Sequence, residues 1–269
     1  MKNPSVWLAA AVLLAAPMSA QSWQNGAPAI EQQVPVRPPS GGHVAGRFDS
    51  YTFTMSWEPT FCEGKSSAQE CRTQRPDRFD ATHLALHGLW PDQDGDSAHA
   101  YGYCGVSASE QALDRAPTWC SLREPAYSDA THAALLTVMP GVDSCLDHHE
   151  WLKHGTCSAL TADQYFATAA ALVQQVASSS FGRFLASHAG RTVDAASAVA
   201  AFESDFGPGS GSKLVMNCTS VRGAPSLLEV RLHLPNALRP ASELGSMLLA
   251  TGDRGSCPSS FLLDPVPSR

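Results

Sequence analysis

The sequence predicts an α+β domain. Three observations carry that reading: strand-like alternation near residue 51, helical periodicity through the middle from about residue 108 to 206, and a return to strand patterns from Lys213 onward. There are no internal repeats and no second hydrophobic unit that could stand alone. With 269 residues, 43% hydrophobic and 16% charged, the chain can bury a sizeable core and is not disordered in composition.

Residues 1–20 join one lysine, an apolar run from Val6 to Ala16 and small residues at Ser19 and Ala20. This is the pattern of a secretory signal peptide, too short to span a bilayer comfortably. The mature chain is expected to be secreted or periplasmic, free of the membrane and, by default, a monomer. Residues 21–46 are rich in Pro and Gly (Pro28, Pro35, Pro38, Pro39, Gly41, Gly42, Gly46) with no sustained apolar period, and are expected to form a flexible leader. A single catalytic domain is expected over 47–269.

Tyr51–Trp57 alternates large apolar residues (Tyr51, Phe53, Met55, Trp57) with small polar ones, which predicts a strand ended by Glu58-Pro59. Thr82–His87 is a second strand candidate, stopped by Gly88 and Pro91. Residues 92–103 read as a polar loop. Helices are predicted near 108–115, 129–138, 147–154, 162–178, 180–188 and 195–206. Thr161 and Gln164 form a candidate capping box for the longest. Lys213–Cys218, Leu227–Leu234 and Phe261–Leu263 read as late strands.

Eight cysteines follow the leader: Cys62, Cys71, Cys104, Cys120, Cys145, Cys157, Cys218 and Cys257. An even number in an exported chain implies a disulfide framework, although eight allow on the order of 100 pairings. Close CxxC pairs, the mark of a zinc site, are absent.

The formal charge of −7 becomes −8 when Lys2 leaves with the leader. This argues against a protein that coats nucleic acid through a basic surface, but not against an enzyme that meets phosphate in a local site. Protonating all ten histidines would carry the full chain from −7 to +3, so mild acid would reduce repulsion of a polyanion.

The most informative segment is His148–Cys157, HHEWLKHGTC. On a helix with His149 at zero, Lys153, Glu150 and His154 fall at about 40°, 100° and 140°, while Trp151 and Leu152 lie on the other side. Four ionisable groups share one arc, and Gly155 can end the helix. His149-Glu150 begins the zinc-protease pattern HExxH, but the fifth position is Lys153. His149 and His154, five apart, lack the i,i+4 spacing that holds a metal, so neither metal nor cofactor is expected. The second segment, His87–Asp92 (HGLWPD), puts a histidine at a strand end before an indole and a carboxylate. Trp90 could stack on a base and Asp92 could accept from an exocyclic amine. His83, on the same strand face, reads as structural.

HGLWP at 87–91 followed by HEWLKHGTC at 149–157 resembles the two catalytic blocks of the ribonuclease T2 family, and the resemblance extends over about residues 50–265. It implies a central antiparallel β-sheet flanked by α-helices and stapled by disulfides. It implies catalytic roles for His87 and His154, phosphate binding by His149, stabilisation of a pentacovalent phosphate by Glu150 and Lys153, and base contact by Trp90 and Asp92. The family bridges imply Cys104–Cys157 and Cys218–Cys257; Cys62–Cys71 suits a short local loop, which leaves Cys120–Cys145.

The implied chemistry suits these residues. RNA carries its own nucleophile, the 2′-hydroxyl, and an imidazole near neutrality can hold or release a proton. By the resemblance His154 is the base and His87 the acid, with the reverse assignment open. The expected activity is metal-independent cleavage of single-stranded RNA with low base specificity, through a 2′,3′-cyclic phosphate to 3′-phosphate ends. The alternative is a catalytically inactive secreted binding protein on the same fold, whose expected sign, loss of a block histidine, is not present.

Overall fold

The computed structural model describes residues 43–93, 101–116 and 118–267. The expected signal peptide and nearly all of the expected leader lie outside these residues, as does most of the 92–103 loop. Two boundaries differ from expectation. Residues 43–46 are held in place: Gly46 N–H donates to Cys157 O at 2.8 Å, and the Tyr101 hydroxyl donates to Val44 O. Tyr101, expected in a polar loop, is buried. An aromatic ring with one carbonyl to satisfy packs as core, whatever the polarity of its neighbours.

The sheet runs β1 (Ser50–Ser56), β2 (Ala85–Asp92), β3 (Thr192–Asp194), β4 (Val215–Val221), β5 (Ala224–Pro235) and β6 (Ser260–Leu262), in the spatial order β2-β1-β5-β6-β3 with β4 also on β5. Every pairing is antiparallel except a single parallel bridge, Ser226 with Leu262. The helices are α1 (Glu58–Gly64), α2 (Gln69–Thr73), α3 (Ala108–Asp114), α4 (Asp129–Val138), α5 (Leu146–Lys153), α6 (Ala162–Ser178), α7 (Ser180–Ser187), α8 (Ala195–Phe206) and the short α9 (Leu244–Met247). The expected helices lie within one or two residues of α3 to α8. The Thr161–Gln164 capping box is formed, and a second, Ser107–Glu110, opens α3. Two short helices, α1 and α2, and the three-residue strand β3 carry too few residues to show a period.

Strand β1 lies between β2 and β5. Its large residues Tyr51, Phe53 and Met55 point into the main core, with Trp57 just beyond the strand end. Its small ones, Thr52, Thr54 and Ser56, form the opposite face. They are low enough for side chains from β2 and β5 to meet above them. Helix α6 packs on the core side, and Tyr165 donates its hydroxyl to Leu89 O at 2.7 Å, tying α6 to β2.

Strand β2 does not stop at Gly88. It continues through Pro91 to Asp92, which pairs with Ser50. Within it, Thr54 pairs with Gly88 and Met55 with Leu86, so His87 is the extra residue of a β-bulge. A bulge re-aims a side chain without ending the strand, which is why a glycine there reads as a stop from sequence.

Four disulfides close: Cys62–Cys71, Cys104–Cys157, Cys120–Cys145 and Cys218–Cys257. Two of them bracket α5. Cys145 immediately precedes the helix and Cys157 sits in the turn after it. The helix that carries three of the block residues is therefore covalently anchored at both ends.

Candidate active site

His87 and His154 come from different elements, the β2 bulge and the C-cap of α5. They meet across one ring: Trp90 lies 5.1 Å from the His87 centroid, edge-on, and 5.3 Å from that of His154. The Trp90 indole N–H donates to Glu150 Oε2 at 2.7 Å. The arc computed on the helical wheel thus turns toward the sheet rather than toward solvent, and both Glu150 and His154 are buried. Burial raises the Glu150 pKa; the charges of His87 and His149, the Trp90 hydrogen bond and the Lys153 charge offset it only in part.

Gly88 makes this approach possible. A Cβ there would stand 2.2 Å from both Glu150 Oε2 and Trp90 Nε1. Gly155 has a related role, since a Cβ would fall 2.2 Å from Trp151 Cε3. It opens the 3-10 turn that follows α5 and admits the Trp151 ring.

His149 Nδ1 faces Asp114 Oδ1 at 2.8 Å, and its ring stacks on Trp119 at 4.5 Å. Asp114 is buried and also accepts from the Tyr103 hydroxyl at 2.6 Å. The His149 and His154 rings are 6.2 Å apart. His149, Glu150 and His154 each offer one donor atom within 4.8 Å of the others. The i,i+5 spacing of His149 and His154 therefore does not keep their donor atoms apart, and Glu150 lies between them in the sequence.

Trp90 and Asp92, the residues expected to contact a base, both engage neighbouring side chains. Trp90 is only 7% exposed, its N–H is committed to Glu150, and Arg231 lies over its ring at 5.9 Å. Asp92 is five residues past His87 on the same strand, about 16 Å away, and accepts from Thr52. Trp90 and Asp92 both lie on β2, which continues through Gly88 and Pro91. His83 precedes β2, stacked on Phe79 at 4.7 Å, and is structural.

Three side chains that sequence reading missed complete the site. Glu229 on β5 accepts from His87 Nδ1 at 2.9 Å through Oε1, and from Arg231 Nε at 2.7 Å through Oε2. Trp119 stacks on His149 and, with Ser56, Glu58 and His87, lines a cavity of about 100 Å³. The available signal for Glu229 was its place in LLEVRLHL, where Glu229, Arg231 and His233 alternate with Val230, Leu232 and Leu234 and mark a charged face. Burial disfavours the His87 imidazolium, but the Glu229 hydrogen bond and the charges of Glu150 and Glu229 outweigh it, so its pKa is raised. Burial likewise opposes ionisation of Glu229, and His87 and Arg231 overcome it, so its pKa is lowered.

The disulfide-bonded α+β fold is that of a ribonuclease. RNase MC1 from the seeds of bitter gourd superposes with a TM-score of 0.53 at 22% identity, covering 80% of this chain and all of that one (100%). The Ribonuclease T2 family description matches residues 48–242. Ribonuclease I of Escherichia coli (strain K12) is 30% identical over 236 residues, 81% of this chain and 87% of that protein. Intracellular ribonuclease LX of Solanum lycopersicum is 30% identical over 45% of this chain and 46% of its own length. The chain belongs to the ribonuclease T2 family, and its class is that of the RNA-cleaving endoribonucleases.

Proposed function

We propose that the chain cleaves single-stranded RNA without a metal, by transphosphorylation through a 2′,3′-cyclic phosphate to 3′-phosphate ends, with low base specificity. The observation that carries this reading is that His87 and His154, from different elements, both lie against the Trp90 ring.

His154 removes the 2′-hydroxyl proton, and the oxygen attacks phosphorus. His87 protonates the departing 5′-oxygen as its bond to phosphorus breaks. Water then opens the cyclic ester with the two roles exchanged. Negative charge that grows on the non-bridging oxygens is met by Lys153 and by His149, whose ring is fixed by Asp114 and Trp119. Glu150, held by the Trp90 N–H, sets the charge balance between the histidines. Trp90 and Asp92 stand at the positions that the resemblance gives to base contact. DNA, which lacks the nucleophile, is refractory.

The reading includes a single catalytic domain over 47–269, a monomeric state and a secreted or periplasmic location. Four disulfides favour an oxidising compartment. Among the described residues no helix is long and apolar enough to cross a membrane.

The test is product analysis on a short defined RNA near pH 5.5, in excess EDTA, with the disulfide-intact protein. A 2′,3′-cyclic phosphate product supports the reading. Activity lost in EDTA and restored by a divalent ion would assign the work to the His149–Glu150–His154 cluster as a metal site. No cleavage under either condition would point to a binding protein.

A further inference from the structure

Across β1, the partners of Ser56 are Ala85 on β2 and Glu229 on β5, and those of Thr54 are Gly88 and Arg231. His87, bulged out between Leu86 and Gly88, therefore faces Glu229 over the short side chains of one intervening strand. A second irregularity lies beside Glu229 itself: Asn217 pairs with Glu229 and Cys218 with Leu227, so Leu228 is skipped. Two bulges, one on each neighbour of β1 or its partner, adjust the two ends of a single hydrogen bond.

The carboxylate is divided between two cations. Oε1 takes His87 Nδ1 at 2.9 Å, while Oε2 takes Arg231 Nε at 2.7 Å and Nη2 at 2.5 Å. Glu229 is nearly buried, and an ionised carboxylate can only accept, so the proton in the shared bond resides on Nδ1. The proton exchanged with substrate must then pass through Nε2.

We propose that Glu229, braced by Arg231, is a positioning residue for His87: it fixes the ring orientation and the Nδ1–H tautomer, and holds the imidazole in its protonated form for delivery of the Nε2 proton to the 5′-oxygen. This rests on the acid role given to His87 in the proposed function. It suits that role, because a neighbouring anion favours the protonated imidazole. The groups that face His87 are Glu229 and Arg231 from β5, Glu150 from α5, and Glu58 and Glu70 from α1 and α2 across the shared cavity. Of the carboxylates, Glu229 is the one in hydrogen-bond contact.

The experiment compares wild type, Glu229→Gln, Arg231→Gln and His87→Ala. It measures the pH dependence of kcat/KM on a dinucleoside monophosphate and the NMR titration of the His87 ring. Glutamine keeps an acceptor at 2.9 Å but removes the charge. The His87 titration and the alkaline limb should fall together by about one pH unit in Glu229→Gln. Both should rise in Arg231→Gln, where the carboxylate is no longer shared. A purely structural Glu229 would lower activity without moving either. Unchanged His87 titration in a folded Glu229→Gln protein overturns the proposal. An inactive wild type, or an active His87→Ala, would instead defeat the proposed function, and the NMR titration would still decide whether Glu229 controls the ring.

Discussion

The indole N–H of Trp90 donates to Glu150 Oε2 at 2.7 Å, and both atoms lie where a side chain on Gly88 would have to be. Strand β2 and helix α5 thus touch through one hydrogen bond over a bare backbone. Gly88→Ala places a methyl group within 2.2 Å of both atoms, and Glu150 is fully enclosed, so it has no room to retreat. We expect activity to fall at least tenfold with secondary structure retained, measured by turnover and circular dichroism on the same preparation. A fully active alanine variant would mean that Glu150 is not held where it is needed.

Alanine at His87 or at His154 separately should lower kcat by roughly 100- to 10,000-fold, the range a positioned acid or base supplies. The four disulfides stay intact in both variants, so the fold should survive, which circular dichroism on the same preparation checks. Retention of more than a tenth of the activity in either variant would remove that histidine from the mechanism.

The pH–rate profile should be bell-shaped with an acidic optimum. The rate requires one imidazole neutral and the other protonated. The pKa of His87 is raised by Glu229 and Glu150 against the opposing effect of burial. Activity therefore persists somewhat above the ordinary imidazole value and is lost as pH rises through the raised one. A rate still climbing at pH 8 contradicts the assignment.

Glu58 provides a stability measurement independent of turnover. Burial, together with the negative charges of Asp80 and Glu70 and against the charge of Arg78, pushes its pKa up to about 8. A carboxyl with a raised native pKa stabilises the folded state below the unfolded value, near 4.5, and that contribution is lost as pH rises through about 8. Glu58→Gln should therefore leave Tm unchanged at pH 4 and raise it at pH 8, on the order of 2–4 °C for each kcal/mol recovered. Equal shifts at both pH values would mean that folding does not raise the Glu58 pKa.

The sequence by itself determined the class and much of the local structure. The alternation of β1 and the periods of α3 to α8 are short-range properties, set by which face of a strand or helix is apolar. The two blocks at 87–91 and 149–157 carry the resemblance to the ribonucleases of this family. What only the tertiary structure decided concerns groups far apart in the chain. Glu229 reaches His87 across 142 residues, Trp90 reaches Glu150 across 60, and Asp114 reaches His149 across 35. Whether β2 ends at Gly88 or bulges at His87 depends on what packs above it, and a glycine is compatible with both. The same reason decides how far the Trp90 ring is covered. An indole exposed in a turn and an indole enclosed beneath a helix have the same sequence signal, and only the helix that covers it distinguishes them.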